Sequence, residues 1–272
     1  MWAAEKGLPQ VMHFKNREGS AEWAMPEGHL DRRKVGLSAI VRLQDEETWI
    51  AACLTSILPW VDEIVCVIQP CADATEQVIR TFDDPRIVAA AYPFDSHPIG
   101  PGHDACPADS VHAGAYCLNW ALARTTRTHV CAWDGDMVAM DWLGARVRGL
   151  IAAGVGRIAF HGHNIVSADL RYVGRTKYPA DGVYRVTSRS CYEQGPVGPQ
   201  LRGVPEPRLI TRPAFLRFRW ARTPLTAATR QWPKGWEGMA HFKALLKQSE
   251  PARFYTGEYP ASVRPLVTLA PA

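Results

Sequence analysis

The sequence predicts an α/β protein built on a mostly parallel sheet with helices on both faces. Three observations predict it. Between Gly36 and Val166, short apolar runs alternate with stretches whose apolar residues recur at helical spacing. The runs are apolar over consecutive positions, as in strands buried on both faces, and do not alternate regularly with polar residues. The chain has 272 residues, 47% apolar and 21% charged, which is enough to bury roughly three-quarters of its unfolded surface.

Residues 1–34 hold Gly19, Ser20, Pro26 and Gly28 without a sustained period, so an irregular arm is expected. Gly36–Arg42 is a first buried strand. Asp45, Glu46 and Glu47 then place negative charge at a helix start, where it complements the macrodipole. Ile50, Cys53, Leu54, Ile57 and Leu58 follow at helical spacing, and Pro59 ends the helix. Asp62–Gln69 is a second strand. Asp73 and Glu76 form an Asp-x-x-Glu start resembling a capping box for a helix through Phe82. Arg86–Phe94 is a third strand, and residues 93–107, rich in Pro, Gly and His, are a loop. Ser110–Arg124 reads as a helix, Thr128–Trp133 as a fourth strand, Asp141–Ala153 as a helix and Arg157–Val166 as a strand. His161 and His163 alternate along that last strand, so both are expected on one face. The α/β half thus covers 35–167, and 168–272 continues the same domain in Gly- and Pro-punctuated segments.

No apolar run approaches the ~18 residues of a membrane span. The first thirty residues lack a signal-peptide apolar core. A cytoplasmic protein is expected, and seven cysteines without an export signal read as reduced thiols. His97, His103, Cys106, His112 and Cys117 include zinc-ligand types, but their spacings match no zinc framework. The net charge of +4 does not point to nucleic acid, yet it is unevenly spread. Residues 1–180 carry 17 basic against 21 acidic side chains, and 181–272 carry 14 against 6. The basic last third would face an anionic substrate, a polyanionic acceptor or the inner face of a membrane. Equally, 24 of the 31 basic residues are Arg, a compositional bias.

The strongest local signal is Trp133-Asp134-Gly135-Asp136, an apolar strand ending in two carboxylates around one glycine. The glycine lets the chain turn and a ligand approach the backbone. Two hard oxygen donors where a sheet opens can hold Mg²⁺ or Mn²⁺ against a diphosphate. Ligands of such sheets bind beyond the strand carboxyl ends, so the residues just after Arg42, Gln69 and Trp133 are the ones to watch.

Residues Leu37–Asp136 resemble the nucleotide-sugar-binding half of the family 2 glycosyltransferases, which have the GT-A fold. The resemblance runs through LSAIVRLQDEETWIAACLTSILPWVDEIVCVI from Leu37 to Ile68, then Asp73-Ala74-Thr75, Asn119-Trp120-Ala121-Leu122 and the Asp134-Gly135-Asp136 motif. The 94 residues from Ile40 to Asp134 are a normal spacing for that family. It covers about 100 residues, and the last third matches only loosely. It implies that Arg42, Gln44, Asp45 and Gln69 line the nucleotide pocket. Asp134 would face ribose or metal, and Asp136 would bind Mn²⁺ or Mg²⁺ through the diphosphate. Two positions depart from the pattern. Gln69-Pro70-Cys71 stands where the family has a base-recognising acid, although Gln69 can still hydrogen-bond a base edge. Gln44 stands where Asn is common.

The resemblance also implies inverting transfer to a glycan, lipid-linked or protein acceptor bound by the C-terminal region. A carboxylate must then accept the acceptor's proton within about 3 Å. Six acids follow Ala180: Asp181, Glu193, Glu206, Glu237, Glu250 and Glu258. Glu237, in Gly235-Trp236-Glu237-Gly238, and Glu206, in PEPRLITRP, are the favoured bases. Related proteins carry a His-Glu pair that Arg217–Thr226 lacks, and His241 is a candidate third metal ligand. Arg208, Arg212, Arg217, Arg219 and Arg222 form a basic run with Phe215, Phe218 and Trp220 between them. It suits a diphosphate, an anionic glycan, lipid headgroups or single-stranded nucleic acid, or else is an edge strand with solvated arginines. The alternatives are a sugar nucleotidyltransferase, disfavoured because Arg42–Glu46 contains no glycine, and a catalytically decayed glycan-binding or scaffold protein.

Overall fold

The computed structural model describes residues 12–25, 28–97, 101–165, 172–175, 181–195, 198–203, 205–218 and 253–265. The chain runs through β1 (Met12–Phe14), β2 (Trp23–Met25), β3 (Lys34–Leu43), α1 (Ile50–Ile57), β4 (Glu63–Ile68), α2 (Thr75–Arg80) and β5 (Ile87–Ala91). It continues through α3 (Pro101–Ala105), α4 (Gly114–Leu122), β6 (Arg127–Asp134), β7 (Met137–Ala139) and α5 (Leu143–Ala152). Strands follow: β8 (Arg157–Phe160), β9 (His163–Ile165), β10 (Tyr172–Arg175), β11 (Asp181–Arg185) and β12 (Cys191–Gly195). The last are β13 (Gly198–Arg202), β14 (Arg208–Ile210), β15 (Phe215–Arg217) and β16 (Arg253–Phe254).

The main sheet has the order β14-β8-β11-β6-β3-β4-β5. Its β6-β3-β4-β5 half is parallel throughout, β11 is antiparallel to both neighbours, and β14 is again parallel to β8. The α/β architecture with a mostly parallel sheet is therefore the one the sequence predicts. From β3 the chain steps outward to β4 and β5, then returns to β6 on the other side of β3. Strand order reverses there, and such a reversal leaves a crevice beyond the strand carboxyl ends.

Both sheet faces are covered, as the continuous apolar strands require. Leu37, Ala39, Val41 and Leu43 of β3 face α1 and α5 in one core with Ile64, Cys66, Cys131 and Trp133. Ile40, Val65, Val67 and Val130 face the other way, into a core with α4, Phe14, Met25, Tyr192 and Leu201. The second sheet, β16-β10-β9-β15-β7, sits over a small core of Trp49, Ala52, Val138, Ile165, Leu216, Phe218 and Val263.

Four local expectations need correction. The arm contains regular structure: β1 pairs with β2, and Phe14, Met25 and Leu30 join the core, because an apolar cluster lies within reach to bury them. The 93–107 loop contains the short helix α3. The Asp73/Glu76 box does not close. Ala74 is the N-cap, Asp73 accepts from the Thr75 amide at 3.0 Å, and Glu76 pairs with Arg80 at 2.6 Å. The 157–166 strand is broken at His161-Gly162, its halves lying in different sheets, so the two histidines do not share one strand face. No disulfide forms among the described residues, which include all seven cysteines. No helix among them is long and apolar enough to cross a membrane.

At the amino edge of the sheet His129 is buried on β6. Burial and then the charge of Arg185 hold its imidazole below the ordinary range, and burial and Arg33 do the same for His29. The unfolded chain then takes up protons that the native rings refuse, so stability falls as pH drops through and below the ordinary histidine value of about 6.5. Melting curves across that window should show this decline, and His129→Gln should flatten it. An unchanged slope in the variant would remove His129 as a cause.

Candidate functional site at the carboxyl ends of strands β3 and β6

Arg42 and Asp134 are register partners at the carboxyl ends of β3 and β6. Parallel pairing places their side chains side by side, and Arg42 Nη2 donates to Asp134 Oδ1 at 2.9 Å. The chain then leaves the main sheet for β7, and Asp134-Gly135-Asp136 forms the bend. Trp133, buried beneath, fastens the bend by donating Nε1 to the Met137 carbonyl at 2.8 Å. Gly135 is a packing requirement. A Cβ there would lie 2.5 Å from Leu43 Cδ2 and 2.8 Å from Glu46 Cγ. Its amide donates to the Arg42 carbonyl at 3.3 Å.

Asp136 points inward, with 1% of its surface exposed. Opposite it runs β15, antiparallel to β7 with Arg217 across from Met137. The Phe218 amide donates to the Asp136 carbonyl at 2.8 Å. This register lays the Arg217 guanidinium along the acidic bend. It pairs with Asp134 Oδ2, and its Nε lies 3.4 Å from Asp136 Oδ1. Asp134 is thus flanked by Arg42 on one oxygen and Arg217 on the other. Two carboxylates and two guanidiniums thus pair with one another at the carboxyl ends of β3 and β6, the form in which buried charge is tolerated, and the buried Glu46 packs beside them on Gly135. Trp49 stacks on Phe218 at 4.1 Å and anchors β15 to the start of α1.

The rim is built from three loops joined to one another. After β3, Asp45 takes a left-handed φ of +53° and accepts from the Ala72 amide at 2.7 Å. The Glu46 amide donates to Thr75 Oγ1, the Glu47 amide to Asp73, and Glu47 accepts from the Ala74 amide. Burial raises the pKa of Asp73, but hydrogen bonds from Thr75 and Glu47 outweigh it and hold the carboxyl below its ordinary range. Ligand atoms of Asp45, Cys71 and Asp73 lie within 4.8 Å of one another. Both carboxylates there are committed to loop amides. Gln69 is buried, and its Oε1 accepts from both the amide and hydroxyl of Ser96 at 2.7 Å. Gln44 Nε2 donates to Asp95 at 3.0 Å.

Asn119, on α4, has a structural task. Its amide brackets the Tyr192 backbone at 2.9 and 2.7 Å and pins the β12–β13 hairpin beside the site. Cys53 Sγ donates to the Asp134 carbonyl at 3.7 Å. Burial, then Cys66 and Asp136, push its thiol well above the usual range, so it stays protonated and is no nucleophile.

The structure therefore brings Arg42, Asp134 and Asp136 together, with Gln44, Asp45 and Gln69 on the adjoining rim. It does not bring Glu206 there. Glu206 is exposed and precedes β14, whose first pair, Arg208 with Ile158, sits level with Cys131 across β8 and β11. Three strands over and several residues toward the amino edge, it lies roughly 20 Å from Asp134. That is out of reach for a base at this site. Glu193 pairs with Arg202 at 2.9 Å. Glu237 and His241 lie outside the described residues, as do Arg219, Trp220 and Arg222. The basic run is not one surface: Arg208 is in β14 of the main sheet, Arg212 lies 4.7 Å over the Trp142 ring, and Arg217 is in the cluster. Sequence reasoning missed Arg217 as the partner of the acidic motif, and Glu46, which is 8% exposed and packs on Gly135.

The donor chemistry of Asp134 and Asp136 suits a hard divalent cation. A positive group, the Arg217 guanidinium, already spans the pair in this structure, which shows that the two carboxylates converge on a cation.

No family model and no curated protein matches the sequence. Among solved structures, the chain is similar to residues 1–349 of S. aureus TarS, at 12% identity over 67% of this chain and 60% of that one, with a TM-score of 0.48. The complex of that protein with UDP-GlcNAc matches at 14% identity over 71% and 61%, with a TM-score of 0.46. Glucosyl-3-phosphoglycerate synthase from Mycobacterium tuberculosis, with Mn²⁺, UDP and phosphoglyceric acid, matches at 20% identity over 49% and 45%, with a TM-score of 0.34. The chain spans about 60% of the length of the TarS structure.

Proposed function

We propose that this protein is a GT-A-type glycosyltransferase that transfers a sugar from a nucleotide-sugar donor, with inversion, to a glycan, lipid-linked or protein acceptor. The observation that carries the reading is the pairing of Arg42 with Asp134-Gly135-Asp136 at the point where strand order reverses. That crevice is where an open α/β sheet binds its ligand, and this one presents cations and carboxylates suited to a diphosphate. Asp134 and Asp136 would hold Mn²⁺ or Mg²⁺, which when bound offsets the charge that develops on the departing nucleoside diphosphate. Arg42 and Arg217 supply fork-shaped donors matched to phosphate oxygens. Gln69 keeps its carbonyl on Ser96, and its amide nitrogen is the donor it would offer to a base edge. Asp45, Gln44 and the stitched loops hold that rim in place, so little ordering is left to binding. Glu237 is the proposed general base for the acceptor hydroxyl, and His241 a proposed third metal ligand.

The test is thermal stability with a panel of nucleoside diphosphates and nucleotide sugars, with and without Mn²⁺. A ligand at 100 times its dissociation constant stabilises the native state by about 2.7 kcal/mol. For a chain of this size that is a rise of about 5–10 °C. One base should give a metal-dependent rise. If no nucleotide moves the melting temperature, the donor site is refuted and the glycan-binding alternative takes its place.

A further inference from the structure

We infer that Arg217 is an internal counter-cation that holds the Asp134/Asp136 pair against a divalent ion until a nucleoside diphosphate arrives. The inference deepens the reading above and rests on it. Both oxygens of Asp134 are engaged by guanidiniums, Oδ1 by Arg42 and Oδ2 by Arg217. Asp136, almost fully buried, has Arg217 Nε within 3.4 Å. Each of the two carboxylates therefore already has a guanidinium beside it, and the buried Glu46 packs on Gly135 between them. A divalent cation entering alone must displace Arg217 from both carboxylates, and it adds two positive charges beside the displaced guanidinium in a site where the arginine and aspartate side chains are 1% to 27% exposed. Poorly solvated surplus charge is costly.

A diphosphate changes this balance. It carries two to three negative charges and offers oxygens to a displaced guanidinium in bidentate geometry. The backbone of Arg217 is fixed, because β15 pairs with β7 on one side and β9 on the other. The long side chain is therefore the part that moves, from the carboxylates to the diphosphate. Cation and nucleotide then bind with positive coupling. By linkage, each raises the affinity for the other by the same factor.

The experiment is Mn²⁺ binding to the full chain, followed by electron paramagnetic resonance of free Mn²⁺, first with Mn²⁺ alone and then with UDP, GDP, ADP or CDP. Wild type should bind Mn²⁺ weakly alone and at least about tenfold more tightly with the recognised nucleotide. Arg217→Gln should bind Mn²⁺ alone about tenfold more tightly than wild type and lose most of the coupling. Equal or weaker nucleotide-free binding in Arg217→Gln, with coupling retained, overturns the inference and leaves the donor site standing. Mn²⁺ binding that survives Asp136→Asn, or no Mn²⁺ binding by any form with any nucleotide, overturns the donor-site reading itself and the inference with it. Melting curves check that each variant folds. Should Arg217→Gln not fold, Arg217→Lys serves, since its single ammonium cannot span both carboxylates. A several-fold tighter affinity for Mn²⁺ alone is then expected, and none overturns the inference.

Discussion

Asp136→Asn is expected to lower sugar transfer by at least about a thousandfold, equivalent to roughly 4 kcal/mol of lost transition-state stabilisation. The substitution keeps the shape of the side chain and removes its charge at the most buried of the paired carboxylates, where the residue is 1% exposed. A neutral amide is a poor ligand for a hard cation in competition with water. The fold should survive, because Arg217 keeps its pairing with Asp134 and the Asp136 carbonyl still accepts from the Phe218 amide. Donor turnover with Mn²⁺, measured beside a melting curve, separates the two effects. Transfer within a few-fold of wild type in a folded variant would remove Asp136 from the chemistry.

Gly162→Ala is expected to cost about 3 kcal/mol or more of stability through overpacking. A Cβ at this position would lie 2.4 Å from both the carbonyl oxygen and Cδ2 of Phe215. The ring is fully buried, and the backbone oxygen belongs to β15, which is hydrogen-bonded on both sides. Neither can yield locally. The melting temperature should fall by about 5–10 °C. Because the only escape is displacement of β15, Arg217 should move with it, and the Mn²⁺ affinity of the folded fraction should change as well. A melting temperature within a degree or two of wild type would contradict this account of the junction between the two sheets.

The two variants probe the same arrangement from opposite ends. The acidic motif is local, four residues at the end of one strand. Its environment is assembled from distant segments: Arg42 from the first strand of the main sheet, Arg217 from the second sheet, and Glu46 from the loop that packs on Gly135. Removal of Asp136 takes away the charge, whereas crowding at Gly162 disturbs the partner that neutralises it.

Much of the fold was legible in the sequence because its causes are local. Strands β3, β4 and β6 are continuous apolar runs, and helices α1, α4 and α5 carry apolar residues at helical spacing. Pro59 and the Gly-rich breaks punctuate them. Asp134-Gly135-Asp136 was legible for the same reason, as a polar triplet ending an apolar strand. Gly162 was not. It lies within a run that reads as one strand from 157 to 166, and a glycine is needed there because Phe215, far along the sequence, occupies the space a side chain would need.

Glu206 shows the other limit. Its sequence neighbourhood made it a candidate base, yet β14 adds in parallel beside β8, so the glutamate starts at the amino edge of the sheet while the acidic motif ends at the carboxyl edge. Strand order and direction decide which edge a residue reaches, and composition carries no record of either. The sequence by itself therefore determined the α/β class, most of the elements up to β8 and the acidic motif, since propensity, periodicity and turn chemistry act over a few residues. Only the tertiary structure decided that Arg42 and Arg217 neutralise the motif and that Glu206 lies far from it, because pairing between segments depends on register, and a shift of one residue turns a side chain to the opposite face.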